Sequence, residues 1–338
     1  MVVYDNLGGK RILITGGLGF VGSNLARRLL TLGSKVTLLD ANIPPYGFNR
    51  FNVNNIEKDV EIAEVDIRSK EIIKWLKNKE IIFNLAGQVG HYSEKDHPNY
   101  MEHAITINWG GHLNVLTKCL EVNPKVRIIH PGSIFQYGKL EKIPVDEKHP
   151  SRPNVRVYYA ITKQYAEDAY RAFHREEKMD VVMLRISNPY GPRSQMKHPN
   201  YGFLNWFIRL AMDEKVIPIF GDGEKLKDPM YVDDLVDALL SMGAADNISG
   251  ELINIGFGRG YKIREIAETI VDVVGSGRVE LREVPEKYRA SGGINDYVSD
   301  ISKIKNLTGW QPKTELREGI EKTVEFYREN RNNYWTTP

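Results

Sequence analysis

The chain has 338 residues, a net charge of +2 and 41% hydrophobic residues, enough for a large core and too long for one small domain. Lys and Arg (46) nearly balance Asp and Glu (44), which excludes a polyanion-seeking field and makes nucleic acid an unexpected main partner, although local phosphate sites are allowed. The lone Cys119 excludes an intrachain disulfide, and neither an 18-residue apolar run nor a basic start followed by an apolar core is present, so a cytoplasmic protein outside the membrane is expected.

In chain order, the runs "RILIT", "KVTLLD", "VEIAEVD", "IIFNLAG", "VRIIHPGS" and "DVVMLRIS" are each separated by an amphipathic segment. Continuous apolar character suits strands covered on both faces. It predicts an α/β chain whose residues 1–187 form a Rossmann-like doubly wound parallel sheet. Within that unit "RSKEIIKWLKNKE" reads as a solvent-facing amphipathic helix, and Cys119 in "NVLTKCLEV" as a small buried helical residue. Residues 188–338 mainly form a smaller α/β lobe. There "NPYGPRSQMKHPNYGF" reads as loop over a cleft, followed by a helix at "LNWFIRLAMDE", a strand at "VIPIF", the turn "GDGEK" and a helix starting at "YVDDLVDALLSMG". "ELINIGFG", near 251–258, reads as a buried strand returning to the first sheet. The tail from "KIREIAETIVDVVG" to "ELREGIEKTVEFYREN" reads as mostly helical.

The first strand ends at Thr15 and runs into Gly16, Gly19 and Gly22. The first glycine permits a tight turn, the second lets a pyrophosphate reach backbone N–H groups, and the third lets helix and strand pack closely. The helix N-terminus then faces the diphosphate with free donors and partial positive charge. The second strand ends in Asp40, which can accept hydrogen bonds from ribose hydroxyls and repels a 2′-phosphate, favouring NAD over NADP. The Gly-x-x-Gly-x-x-Gly spacing differs from the Gly-x-Gly-x-x-Gly of ordinary dehydrogenases.

In "VYYAITKQYAEDAY", Tyr159 and Lys163 lie four residues apart, on one helix face. A free tyrosine titrates near 10, too high for a base at neutral pH. A nearby ammonium and a nicotinamide cation both favour the phenolate, so Tyr159 can exchange a proton with a substrate hydroxyl as hydride moves. Tyr158, five residues from Lys163, points elsewhere.

The ordered set "TGGLGFVGS", "NLAG", "GSIFQYG", "YAITK", "RISNPYGPR", "YVDDL" and "GWQP" resembles the extended short-chain dehydrogenase/reductases, specifically their nucleotide-sugar epimerases and dehydratases, over nearly the whole chain. The resemblance implies that Tyr159 is the acid/base, that Lys163 holds the nicotinamide ribose and lowers the tyrosine pKa, and that Ser133 hydrogen-bonds the reacting oxygen. It implies NAD contacts from Gly16, Gly19, Phe20, Val21, Gly22, Asp40 and Asn42, adenine contacts from Asp66 and Ile67, and a cofactor-lining segment at Leu85, Ala86, Gly87 and Gln88, with Asn108 supporting the active-site helix. A nucleotide-diphosphate sugar is the implied partner, contacted by Gln88, Ser133, Asn188, Arg193, Phe220 and Lys227. Lys227 stands where the family usually has Arg, and Asn295 or Asp296 stands where another Arg is common. Diphosphate neutralisation then falls to Lys227, Arg193 or Arg289. A homodimer through helices near 101–122 and 157–176 is also implied.

The family's 4,6-dehydratases usually carry an Asp-Glu pair where "SIFQYG" has Ile134 and Phe135. Dehydration and uronate decarboxylation are thereby disfavoured. What remains is oxidation of a ring carbinol and return of hydride to the other face. C4 epimerisation of a UDP-hexose such as UDP-glucose ranks first, C2 epimerisation of a CDP-sugar of the tyvelose type is a close second, and 4-ketosugar reduction is third. A non-catalytic NAD-binding scaffold is the reading from another class, opposed by the intact Ser133, Tyr159 and Lys163. The eight histidines show no metal-binding spacing, so no metal is expected. His91, Tyr92 and Ser93 stand at the expected cleft edge, as a second acid/base or as solvated loop, and His130 reads as structural.

Overall fold

The computed structural model describes residues 4–43, 47–89, 99–155, 157–285 and 296–335. Six parallel strands alternate with helical segments: β1 Arg11–Thr15, β2 Lys35–Asp40, β3 Glu61–Glu64, β4 Ile81–Asn84, β5 Arg127–Ser133 and β6 Val181–Ile186. After β6 come β7 Asn188–Tyr190, β8 Val216–Phe220, β9 Leu226–Lys227, β10 Pro229–Tyr231, β11 Leu252–Ile255, β12 Tyr261–Lys262 and β13 Arg278–Arg282. The principal sheet has seven strands in the order β11-β6-β5-β4-β1-β2-β3, so "ELINIGFG" does return to it, as β11 beside β6.

Alternate residues of one strand feed the two faces of the sheet. Ile12 and Ile14 of β1 join the apolar cluster that holds Leu38, Phe83 and Leu184. Leu13, between them, joins the opposite cluster with Leu39, Ile82, Val181 and the buried Cys119. With both faces covered, each strand reads as an unbroken apolar run. The helices are α1 Phe20–Thr31, α2 Ile73–Leu76, α3 Tyr100–Ile105, α4 His112–Val122, α5 Tyr158–Glu177, α6 Phe203–Met212, α7 Val232–Ala244 and α8 Ile263–Val274, followed by Ser302–Thr308, Leu316–Asn330 and Asn332–Trp335. Among the described residues no helix is long and apolar enough to cross a membrane.

Two sequence expectations need correction. The charged run at 68–80 forms only a 3-10 turn and the four residues of α2, because Lys77 leaves the helix in an extended conformation and Asn78 takes a φ of +59°. The tail is mostly helical, as expected, but also contains a strand not foreseen: "RVELR" is β13, pairing in parallel with β8 from Arg278↔Val216 to Arg282↔Phe220. Its Val279 and Leu281 alternate with charged residues on an exposed edge, a pattern shorter than the helical periodicity around it. The remaining small ladders are β7 with β10 and β9 with β12.

The strand order reverses between β1 and β4, since the chain goes from β1 outward to β3 and then returns to build β4, β5 and β6 on the other side. Loops at the carboxyl ends of β1 and β4 diverge there and leave a crevice.

Candidate active site

The crevice begins at the glycine turn. Thr15 Oγ1 donates to Asn84 Oδ1 at 2.7 Å and accepts from the Ala86 N–H at 3.0 Å, fixing the ends of β1 and β4 together. Gly16 has a φ of +65°, and a Cβ there would lie 3.0 Å from the Ala86 backbone. At Gly22 a Cβ would lie 2.4 Å from the Gly16 carbonyl oxygen, so the first turn of α1 sits directly on the glycine turn. No side chain caps α1 and no acidic residue occupies its first turn. A narrow backbone cradle at an uncapped helix N-terminus has the shape and polarity that a dinucleotide's diphosphate requires.

At the end of β2, Asp40 accepts from the Leu18 N–H and the Asn42 N–H, each at 3.1 Å. Burial pushes its carboxyl up, and these amides pull it partly back. Asn42 takes a φ of +52° to deliver its N–H. Past β3, burial likewise raises Asp66, but the hydrogen bonds and charge of Arg68, 2.6 Å away, prevail and leave it below the usual carboxylate range. Asp40 and Asp66 both border a cavity of about 490 Å³ whose walls on this side include Phe20, Val21, Ile43, Phe48 and Ile67.

The other end of the cavity is built by β5 and α5. Ser133 ends β5, and Tyr159 and Lys163 are one turn apart near the start of α5; all three line the cavity. Tyr158 is 42% exposed and turned away. Burial pushes the Tyr159 phenol up to about 12, and its hydrogen bond with Ser133 pulls the other way. Burial brings the Lys163 ammonium down to about 8. Its Nζ donates to the Pro131 carbonyl at 2.9 Å and lies 6.0 Å from the Tyr159 ring centroid. Ile134 and Phe135 also line this end, with Phe135 edge-on to Tyr159 at a centroid separation of 6.3 Å.

Leu85, Ala86 and Gly87 form the floor between the two ends. Gln88, fully buried, does not line the cavity and is held through its backbone: Asn108 Oδ1 accepts its N–H at 2.7 Å and Asn108 Nδ2 donates to its carbonyl at 2.9 Å. Asn108 Nδ2 also donates to Thr162 Oγ1 at 3.2 Å, so the residue ties this loop to α5 from a widened helical turn over Thr106–Gly111. Behind it, His130 is buried and stacked on Tyr170, and it sits in the middle of β5 rather than at a strand end.

The residues named for the substrate divide. Ser133 and Asn188 line the cavity, and Gln88, Arg193, Phe220 and Lys227 do not. Arg193 turns toward α1, where its guanidinium donates to Asn24 Oδ1 at 2.8 Å and lies over the Phe326 ring. Phe220 ends β8 and Lys227 ends β9; burial brings the Lys227 ammonium down to about 8. Asp296 accepts the Leu226 N–H at 2.8 Å, and His91, Tyr92, Ser93, Arg289 and Asn295 lie outside the described residues. The segment read as loop over a cleft supplies lining residues not singled out in it: Ser194, Gln195, Tyr201 and Phe203. Its Pro, Gly and Tyr content was the available signal; Ile43 and Phe48 carried none.

The charges are unevenly distributed. Among the described lining residues the carboxylates are Asp40 and Asp66 and the cation is Lys163. β2 lies three strands from β5 and β3 lies four. At about 4.8 Å per strand, both acids are about 14 Å or more from Ser133. No group of three potential metal ligands occurs among the described residues.

A family model described as the NAD dependent epimerase/dehydratase family matches residues 12–256. UDP-glucuronic acid decarboxylase 1 of Xenopus tropicalis is 30% identical to this chain, over 94% of the chain and 72% of the relative. The structure of UDP-glucose 4-epimerase with UDP-glucose from Thermotoga maritima superposes with a TM-score of 0.83 at 28% identity, covering 95% of this chain and 99% of that one. The structure of dTDP-glucose 4,6-dehydratase from Streptomyces venezuelae, with NAD bound, also gives 0.83, at 26% identity and with 96% and 98% covered.

Proposed function

The chain belongs to the NAD dependent epimerase/dehydratase family, and within it we propose that this protein is a UDP-hexose 4-epimerase. NAD, the cofactor, supplies a hydride acceptor that can return the hydride in the same active site. Gly16, Gly19 and Gly22 cradle its diphosphate, Asp40 holds its adenosine ribose, and Asp66 and Ile67 border its adenine.

The chain's own chemistry is a proton exchange at one sugar hydroxyl. Tyr159 takes the proton from the C4 hydroxyl and gives it back after the keto sugar has turned over. Ser133 holds the reacting oxygen, and Lys163 favours the phenolate by its charge. Residues from 188 onward carry the nucleotide and let the sugar present either face.

The observation that carries this reading is the uneven charge distribution. Dehydration needs a second acid/base pair beside the sugar, and the described residues around Tyr159 provide Ile134 and Phe135 instead. A uronate at that end would meet no cation but Lys163 among the described lining residues. With NAD as the hydride acceptor, reversible oxidation asks for no side chain beyond Tyr159, Ser133 and Lys163.

Proton NMR of the purified protein with UDP-glucose and no added cofactor tests this. The expected result is growth of the UDP-galactose anomeric signal with no net reduction of nicotinamide. A 4-keto-6-deoxy product, or an unchanged spectrum from protein shown to contain NAD, overturns it. The working unit we propose is a homodimer joined through α3, α4 and α5, where Ile105, Trp109 and Tyr165 are exposed and the Trp109 and Tyr165 rings meet at 5.6 Å.

A further inference from the structure

Ser133 is held by a side chain that the proposed reaction does not use. Its backbone N–H donates to Gln136 Oε1 at 2.7 Å, and Gln136 Nε2 donates to Glu167 Oε2 at 2.6 Å. A longer contact from Nε2 reaches Gln164 Oε1 at 3.4 Å. Glu167 lies on α5 four residues beyond Lys163 and eight beyond Tyr159, so the three share a helix face.

Glu167 is itself immobilised. It and Arg185 are each 1% exposed and form a forked pair, with Arg185 Nη2 to Oε1 at 2.8 Å and Nε to Oε2 at 3.0 Å. Arg171 adds a second cation at 2.9 Å. The Arg185 guanidinium also lies 4.2 Å from the Tyr137 ring centroid, and the Tyr137 hydroxyl donates to Asn254 Oδ1 at 2.6 Å. Glycine at 132 leaves room for this arrangement: a Cβ there would lie 2.5 Å from Gln136 Oε1 and 2.4 Å from the Leu184 carbonyl oxygen.

We propose that Gln136 is a positioning residue, a brace that transfers the fixed geometry of the Glu167–Arg185 pair to Ser133 and so sets the Ser133 hydroxyl against Tyr159. One end of the brace is Glu167 on α5, the helix that carries Tyr159, and the other is Ser133 at the end of β5, so Ser133 and Tyr159 keep one register even though they come from different layers of the fold. A charged acceptor makes the Gln136–Glu167 bond stronger than one between neutral groups. An amide also does what a carboxylate could not, since it accepts from Ser133 and donates to Glu167 simultaneously. The inference rests on Tyr159 as the acid/base and not on which sugar is turned over.

The test is Gln136→Met, which keeps the length and removes both hydrogen bonds. The first readout is the titration of Tyr159 in the NAD-loaded protein, followed by NMR of ring-labelled tyrosine and assigned with Tyr159→Phe. The groups that bear on it are Lys163 and Glu167 on α5, Ser133 and Phe135 beside it, and Arg171, Arg185 and Tyr137 beyond Gln136. Without the brace the Ser133 bond loosens, and the Tyr159 midpoint moves to higher pH. In turnover, kcat and kcat/KM are expected to fall together by about 10- to 100-fold, as for a small misplacement of a reacting group.

An unmoved Tyr159 midpoint in folded Gln136→Met protein overturns the proposal, whatever happens to its melting temperature. Should that variant not fold, Gln136→Glu decides. It can bridge Ser133 and Glu167 only while the two carboxyls share a proton, so its activity relative to the parent is expected to fall as pH rises. A ratio independent of pH overturns the brace. If the parent leaves UDP-glucose untouched, the sugar assignment fails while the tyrosine titration still judges Gln136.

Discussion

At the scale of single residues the site is a contest between burial and charge. In the proposed reaction Tyr159 must lose a proton in a pocket that pushes its phenol up to about 12, and the neighbour that should help, Lys163, is itself pushed down to about 8. The hydrogen bond with Ser133 favours the phenolate. Tyr159→Phe removes that chemistry and little else, because the ring edge packed by Phe135 remains. Turnover is expected to fall by about 10²- to 10⁴-fold, while NAD released on denaturation stays at the parent level. Undiminished turnover would remove Tyr159 from the mechanism. The pairing of Tyr159 with Lys163 was legible because four-residue spacing fixes a shared helix face. The part played by Gln136 was not, since its partner Glu167 lies 31 residues away.

Among the elements, the junction of β1 with α1 is the most tightly specified. Gly22→Ala places a methyl group where the Gly16 carbonyl oxygen already sits, 2.4 Å away. α1 must then retreat from the cradle, at a cost of about 1–3 kcal/mol for such overpacking. Melting curves recorded with and without added NAD are expected to show both a lower melting temperature and a smaller gain on adding NAD. A parent-sized gain would mean that the diphosphate does not depend on this close approach. The strands of the main sheet were readable because burial on both faces leaves an unbroken apolar signature. β13 was missed because one half-exposed edge strand of alternating Val, Leu and charged residues resembles the helical surroundings in composition. α2 was overextended for the converse reason: its charged run has a helical pattern, and the backbone turns away at Lys77 and Asn78.

For the whole molecule, the exposed Ile105, Trp109 and Tyr165 give one face of α3, its widened continuation and α5 an apolar surface. Light scattering is expected to return twice the chain mass, and Trp109→Glu to return a single chain mass; a monomeric parent would refute the dimer. The sequence by itself determined the parallel α/β sheet, the glycine turn after β1, the Asp40 that ends β2, and the spacing of Tyr159 and Lys163. Each is written locally, as unbroken apolar runs for strands covered on both faces, three-residue glycine spacing and about four residues for a helix turn. The tertiary structure decided what no spacing contains. It put Ser133 beside Tyr159 across two elements, turned Arg193 away from the cavity onto Asn24, 169 residues distant in the chain, and left Asp40 and Asp66, the carboxylates among the described lining residues, at the far end of the cavity from Tyr159. Those outcomes depend on where a side chain points once strands have taken their neighbours, and strand order is settled by long-range packing.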